Sequence, residues 1–388
     1  MKKIILFLSL FVILFCFNDV TYAQKDNVTV GPYHLKKVVD LQTTSVKNQA
    51  LSGTCWSFST VSFFESELIR TGKGHINLSP MFVVNHAYQD KAIKYVRMHG
   101  HTQFGAGGEA EDVKYVWEHY GIEPLYAYTG LPGGQTKYRE LEMDKVLKSM
   151  LDAVITNPDG MLDPEWHKAF DGALNGYLGK IPKTFTYKGK TYTPKSFARY
   201  LGLNMKNYIP ITSFNSHPFY TKYAIEIPDN WEWAKYYNIK LNDMMDIINN
   251  AIKHGYSVAW GADVSNPGFN FKRGLAVVPN YVENWDAMSP AARDTIFTHA
   301  YKQMNISQAF RQKMYNNYTT QDDHGMQIIG IYKDQNGDTF YRIKNSWGTK
   351  NVDKGYFFAS AAYVRLNTTT IMVNKNSIPV DLQKEMGL

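Results

Sequence analysis

Gln49-Ala50-Leu51-Ser52-Gly53-Thr54-Cys55-Trp56-Ser57-Phe58 is the stretch on which the reading of this chain turns. It is a polar, glycine-containing approach followed at once by a helical pattern. Trp56, Thr60, Phe63, Phe64 and Ile69 recur near 3.6-residue spacing, Ser52 or Thr54 can serve as N-cap, and Thr71-Gly72 supplies the stop. Cys55 therefore falls at a helix start. Backbone N–H groups lack partners there, and the helix dipole favours negative charge. That position predicts a lowered thiol pKa and a larger thiolate fraction. Cysteines also sit at helix starts with no function, so position alone does not decide.

The cysteine count sharpens the question. The 388-residue chain has two cysteines, Cys16 and Cys55. Cys16 lies in a leader-like segment. Lys2 and Lys3 form a positive start, Ile4 to Phe17 is almost wholly apolar, and Thr21-Tyr22-Ala23 resembles a cleavage site before Gln24. Residues 1–23 thus read as a signal peptide. The alternatives are an uncleaved anchor or a lipoprotein, and Phe15 before Cys16 fits the latter poorly. The expectation is export to the periplasm or outside the cell, with no stable membrane insertion after cleavage. Cleavage removes two lysines and one aspartate, so the formal charge falls from +7 to +6. The basic residues are scattered, so no nucleic-acid footprint is evident. An exported chain with one remaining thiol cannot form an internal disulfide, so Cys55 is either a buried spare or a reactive group.

Two further helices read from their ends, one opening at Ser79-Pro80 and one after Gly107-Gly108. Residues from about 125 to 255 are broken by Pro- and Tyr-rich segments and read as elaboration within one enzyme. The last third turns to β-structure. His324 to Tyr332 reads as a strand, Asp334-Gln335-Asn336-Gly337-Asp338 as a turn, and Thr339 to Lys344 as the return. A calcium loop would need an acidic residue where Asn345 stands. Folding the chain about residues 334 and 335 brings His324 and Asn345 to the same open end. A thiolate nucleophile needs an imidazole and a group to orient it, and this pair supplies both. Gln49, six residues before Cys55, is a candidate oxyanion donor beside the Cys55 N–H. A surface loop glutamine is the plainer alternative.

The three blocks Gln49–Phe58, Asp323-His324-Gly325-Met326 and Lys344-Asn345-Ser346-Trp347-Gly348 resemble, in order and separation, the signatures of papain-like cysteine peptidases. Ordinary papains carry a disulfide cysteine three residues before the nucleophile, and here that position is Ser52. The chain is more similar to the bleomycin hydrolase/aminopeptidase C branch, which lacks disulfides. Gly107-Gly108-Glu109, the stretch from Tyr208 to Tyr223, and Ala259-Trp260-Gly261-Ala262-Asp263-Val264 support that branch. The likeness is patchy between about 125 and 200.

The resemblance implies an α+β fold of two lobes with the site between them. The helical left lobe would carry Cys55, and the β-rich right lobe would carry His324 and Asn345. It implies that residues 24–388 form one peptidase domain and that Trp347 and Trp56 support the site. It implies that the Gly107 and Gly108 backbone binds an extended peptide. It also implies that the tail, about 375–388, enters the cleft and presents the Leu388 carboxylate to the substrate's free amine. No cofactor or metal is expected, and the partners are peptide substrates. The branch forms homo-oligomers, and its barrel-like hexamer is set against two departures, apparent export and a shorter chain. The expected activity is that of a thiol aminopeptidase. The alternatives are an endopeptidase or acyl transferase with the same residues, or a non-catalytic peptide-binding scaffold.

Overall fold

The computed structural model describes residues 26–282, 285 and 288–388. The signal-peptide reading of residues 1–23 lies outside the described residues. The helices are α1 (Cys55–Arg70), α2 (Pro80–Arg97), α3 (Ala110–His119), α4 (Leu141–Ile155), α5 (Trp166–Leu178), α6 (Pro194–Leu201), α7 (Leu241–Lys253), α8 (Pro290–Thr295), α9 (Gln308–Asn316), α10 (Ala361–Asn367) and α11 (Val380–Met386). The strands are β1 (Asn27–Val30), β2 (Tyr33–Asp40), β3 (Phe185–Tyr187), β4 (Lys190–Tyr192), β5 (Tyr208–Thr212), β6 (Thr221–Ala224), β7 (Lys235–Asn238), β8 (Val258–Ala262), β9 (Phe269–Asn270), β10 (Leu275–Ala276), β11 (His324–Lys333), β12 (Thr339–Lys344), β13 (Tyr356–Ser360) and β14 (Thr368–Asn374). No helix among the described residues is long and apolar enough to cross a membrane.

Two cores organise these elements. One gathers Phe63, Phe64, Phe82, Trp117, Leu147, Leu174 and Phe197 from α1 to α6. The other gathers Ile248, Trp260, Met326, Ile343, Phe358 and Ile371 around the sheet. The expected elaboration at 125–255 falls into two parts. Its earlier helices and the β3–β4 hairpin enlarge the helical lobe, and β5, β6, β7 and α7 belong to the β lobe.

The sheet runs β6-β7-β5-β14-β8-β11-β12-β13-β10-β9, with β2 also paired to β11. β11 is its trunk. β12 follows one side, while β8 and then β2 follow the other. The strand is buried nearly throughout rather than on one face, because α1 covers one side and α7 the other. The β11–β12 turn centres later than expected. Lys333 pairs with Thr339, and a bulge follows between Ile328 and Gly330. The Asp334 carboxylate fixes that turn by accepting the N–H groups of Asn336 at 2.9 Å and Asp338 at 2.8 Å.

Helix α1 joins the two cores. Every residue from Trp56 to Leu68 is buried, including Ser62, Glu65, Ser66 and Glu67. A helix buried on all sides must satisfy its polar side chains internally. Glu65 accepts from Thr44 Oγ1, from Lys47 Nζ at 2.7 Å and from the Leu78 N–H at 2.8 Å. Ser62 Oγ donates to Gln327 Oε1 at 2.7 Å, and Gln327 Nε2 donates to Ser66 Oγ and Ser257 Oγ. Lys344 Nζ donates to the Thr44 carbonyl and to Ser62 Oγ, both at 2.7 Å. Burial pushes the Lys344 amine down to about 7, with Glu65 opposing that shift. Glu67 reaches the outer strands, accepting from Asn374 Nδ2 at 2.7 Å and Tyr208 OH at 3.2 Å.

Replacing Glu65 with alanine removes the carboxylate on which Lys47, Thr44 and the Leu78 N–H converge. We expect a loss of about 3–5 kcal/mol in stability, because the part-buried Lys47 ammonium and the buried Thr44 and Leu78 donors are left without their partner. Urea unfolding measures this, and an unchanged midpoint would show that the network does not hold the lobes together.

Candidate active site

The site is built where β11 meets the N-terminus of α1. Cys55 is the first residue of α1, behind Thr54, which occupies the N-cap without a side-chain cap bond. The Cys55 N–H therefore has no acceptor within the helix. Gly325, one residue past His324, permits the approach. A Cβ at Gly325 would lie 2.9 Å from the Trp56 Cα and 3.1 Å from its nitrogen. The Gly325 and Trp56 N–H groups lie near enough to the Cys55 sulfur to favour its charged form. Sequence reading treated Gly325 as part of a signature only. Its role depends on a contact between residues far apart in the chain.

Cys55 and His324 line the same cleft. His324 Nε2 lies 2.7 Å from Asn345 Oδ1, and that oxygen also accepts the Ser346 N–H at 2.7 Å. His324 and Asn345 are both buried. Trp347 lies against the imidazole with ring centroids 4.5 Å apart, and the edges of Phe269 and Phe271 hold the indole from behind. The indole covers the imidazole that makes the bond. With Nε2 committed to an acceptor, the proton resides there and Nδ1 is the basic nitrogen.

Gln49 is tied to the same segment. Its N–H donates to the Ser346 carbonyl at 2.8 Å, and its Oε1 accepts from Ser346 Oγ at 2.5 Å. Its Nε2 donates one hydrogen to the Ser52 carbonyl at 2.8 Å, leaving the second uncommitted. Gly108 borders the cleft from the helical lobe, and Gly107 precedes it. The Gly107 N–H donates to the Gly53 carbonyl at 3.0 Å, which fixes this backbone against the Cys55 loop. Gly107 has φ +91°, and a Cβ on Gly108 would meet the Trp56 ring at 2.9 Å. Both positions therefore require glycine. Trp56 is buried beneath Gly108 and Gly325.

Two expectations need correction. The tail does not enter the cleft. The Ser377 carbonyl accepts Asn250 Nδ2 of α7 at 2.7 Å, and Met386 and Leu388 pack into the β-lobe core. None of residues 375–388 lines the cleft around Cys55. Leu382, Met386 and Leu388 give the tail an apolar side, and the β-lobe core beside α7 buries it. The thiol is also not acidified by its helix position. Burial pushes Cys55 up to about 12, outweighing the Gly325 N–H, and nearby Asp229 and Asp322 push the same way. Burial likewise pushes His324 down to about 4, against the bond to Asn345. Each shift is the penalty for charging one group alone. Moving the proton from sulfur to imidazole creates both charges together, so their attraction offsets the two penalties.

Sequence reading also missed the acidic lining. Asp229, Glu109 and Asp322 share the cleft wall with Cys55 and His324. Asp229 lies in the stretch that periodicity could not resolve, and only the Pro228-Asp229-Asn230 turn marked it.

Comparison with known proteins bears on the family and the fold. A match to the Peptidase C1-like family spans residues 178–387, more than half of the chain. The chain belongs to that family. A second match, to the papain family cysteine proteases, covers residues 35–149. This chain is thus a cysteine-type peptidase with a papain-like fold. Similar relatives include Aminopeptidase C of Lactobacillus delbrueckii subsp. lactis, 25% identical over 391 residues, covering 89% of this chain and 83% of the relative. Aminopeptidase C of Lactococcus lactis subsp. cremoris is 25% identical over 381 residues, covering 87% of this chain and 82% of the relative. The crystal structure of pepw from Lactobacillus rhamnosis HN001 superposes with a TM-score of 0.67 at 19% identity, covering 91% of this chain and 84% of that one. That likeness supports the fold.

If the proton moves only within the pair, removing the imidazole strands the thiol. In His324→Ala, Cys55 keeps a pKa pushed up by burial and stays neutral at pH 7. We expect its alkylation by iodoacetamide at pH 7 to fall by at least ~10-fold and to recover only as pH rises well above 9. Equal pH–rate profiles for variant and wild type would contradict the pairing.

Proposed function

We propose that this chain is an exported thiol aminopeptidase acting through Cys55, His324, Asn345 and Gln49. The observation that carries the catalytic part is the 2.7 Å His324–Asn345 bond beneath Trp347, in the same cleft as Cys55. It leaves Nδ1 as the group that can take the thiol proton.

Cys55 Sγ attacks the carbonyl carbon while its proton passes to His324 Nδ1. The carbon–sulfur bond forms and the carbonyl electron pair moves to oxygen. The Cys55 N–H and the second hydrogen of Gln49 Nε2 receive that oxygen, each donor contributing roughly 3–4 kcal/mol to the transition state. Collapse breaks the carbon–nitrogen bond, and the leaving amine takes the proton from His324. The thioester remains on Cys55. Water then attacks it, passing a proton to His324, and the acid leaves as the thiol regains its proton. Asn345 keeps the imidazole in one plane during both transfers. Gly108 borders the cleft and Gly107 precedes it, on the backbone that would receive a peptide.

The exopeptidase part draws on the relatives, which carry the names Aminopeptidase C and Aminopeptidase W. Export draws on residues 1–23, whose charge and apolar run match a signal peptide.

A panel of aminoacyl fluorogenic amides and their N-acetylated forms, assayed under reducing conditions, tests the reading. We expect cleavage of the free-amine substrates only, abolished by Cys55→Ala. Comparable cleavage of the acetylated forms would replace the aminopeptidase with an endopeptidase. No cleavage of either form would remove the catalytic reading.

A further inference from the structure

The tail lies away from the cleft, so an exopeptidase built this way needs another group to meet the substrate's amine. The loop 225–234, between β6 and β7, supplies one. It leaves the β lobe and reaches the helical lobe. Trp231 Nε1 donates to Asp112 Oδ2 in the first turn of α3 at 2.9 Å. Asn230 stiffens the loop from inside, donating to the Ile225 carbonyl at 3.0 Å and the Ala234 carbonyl at 3.1 Å. Ile225 and Ile227 pack with Phe214 and Tyr236 at its base. The loop is thus a strap across one end of the cleft.

Asp229 sits on that strap. Its carboxylate accepts from Gln103 Nε2 at 2.8 Å, and the Gly108 N–H lies near enough to favour its charged form. Its oxygens occupy the place that a Cβ on Gly107 would take. The Gly108 N–H is a natural donor for the carbonyl of an extended peptide, and the Asp229 carboxylate already stands over this glycine pair. A peptide lying along Gly107–Gly108 therefore cannot continue past the residue that Cys55 attacks. What such a residue would present at that point is its own α-amino group.

The charge balance favours an ammonium there. Asp322 and Asp323 line the same cleft with Glu109, whose carboxyl burial and Asp322 push well above the usual range towards its neutral form, and no lysine or arginine does among the described residues. The nearby cation, Lys91, is behind the glycine loop, where its Nζ donates to the Gly105 carbonyl at 3.1 Å and to the Gly107 carbonyl. Asp322 is engaged by Thr369 Oγ1 and Glu109 by Thr370 Oγ1, whereas among the described residues Asp229 has a side-chain donor only in Gln103. A half-buried carboxylate still gains from an opposite charge that completes its hydrogen bonds.

We infer that Asp229 anchors the free α-ammonium of the residue whose carbonyl Cys55 attacks, and that the 225–234 strap closes the cleft beyond it. The inference rests on the aminopeptidase reading and names the group that enforces it. Asp229 acts in binding, and its loss should register in KM before kcat.

The test compares wild type, Asp229→Asn and an enzyme extended at its C-terminus by six histidines. Substrates are leucyl-aminomethylcoumarin, its N-acetyl form and its des-amino analogue. For Asp229→Asn we expect kcat/KM on the free-amine substrate to fall ~100-fold, mainly through KM, with the acetylated form unchanged or faster. The C-terminal extension should leave the wild-type rates intact. In the unaltered enzyme the des-amino analogue should show a similarly raised KM, a measurement that does not depend on the variant's folding. The anchor is overturned if Asp229→Asn stays within about twofold of wild type on the free amine, or loses activity equally on both substrate forms. If wild type itself cleaves the acetylated form as well as the free amine, the aminopeptidase reading falls and the anchor falls with it.

Discussion

The contact between Gly325 and the backbone of Trp56 is the constraint on which the site depends. It brings the first turn of α1 against the first residues of β11, where a Cβ on residue 325 would crowd the Trp56 backbone and Ser59 Oγ. Cys55 comes from one lobe and His324 from the other, so this approach sets their meeting. The contact would open without the polar network behind it. Gln327, two residues further along β11, takes hydrogen bonds with Ser62 and Ser66 of α1, and Lys344 of β12 reaches Ser62 as well. Side chains buried this deeply have no water to fall back on, so separating the lobes leaves several donors and acceptors unpaired. The network thereby holds the catalytic pair in place.

The same burial governs the chemistry. Burial in the cleft penalises an isolated thiolate and an isolated imidazolium alike. It also strengthens the attraction between the two once both are formed. The nucleophile is generated by a transfer within the pair, and the Gly325 and Trp56 N–H groups receive the sulfur's charge. Asp229 and Asp322 oppose that charge from across the cleft. A substrate ammonium would relieve this opposition, so binding of the correct substrate and activation of the thiol become coupled.

Much of this was legible in the sequence, and for physical reasons. The start of α1, the Ser79-Pro80 entry to α2 and the Asp334–Asp338 turn are local features, set by caps and turn chemistry. The pairing of His324 with Asn345 followed from hairpin geometry, although the turn centre and the bulge at Ile328/Gly330 shifted the register. What did not show was set by distant partners. The polar residues of α1 are covered by partners some 260 to 310 positions away, which no local pattern reveals. Loop 225–234 has no periodicity to read, and its meaning lies in the Trp231–Asp112 bond. The tail was placed by analogy, and its own apolar side overrode that analogy by packing into the β-lobe core.

The most direct test of the account is to trap the covalent intermediate. The enzyme would be mixed with an excess of leucyl p-nitrophenyl ester and quenched in acid within the first turnovers, and its peptides would then be mapped by mass. The account predicts a leucyl group on the peptide containing Cys55, absent when His324 is replaced by alanine. A leucyl group on any other residue, or turnover of the ester with Cys55 unmodified and dispensable, would contradict it.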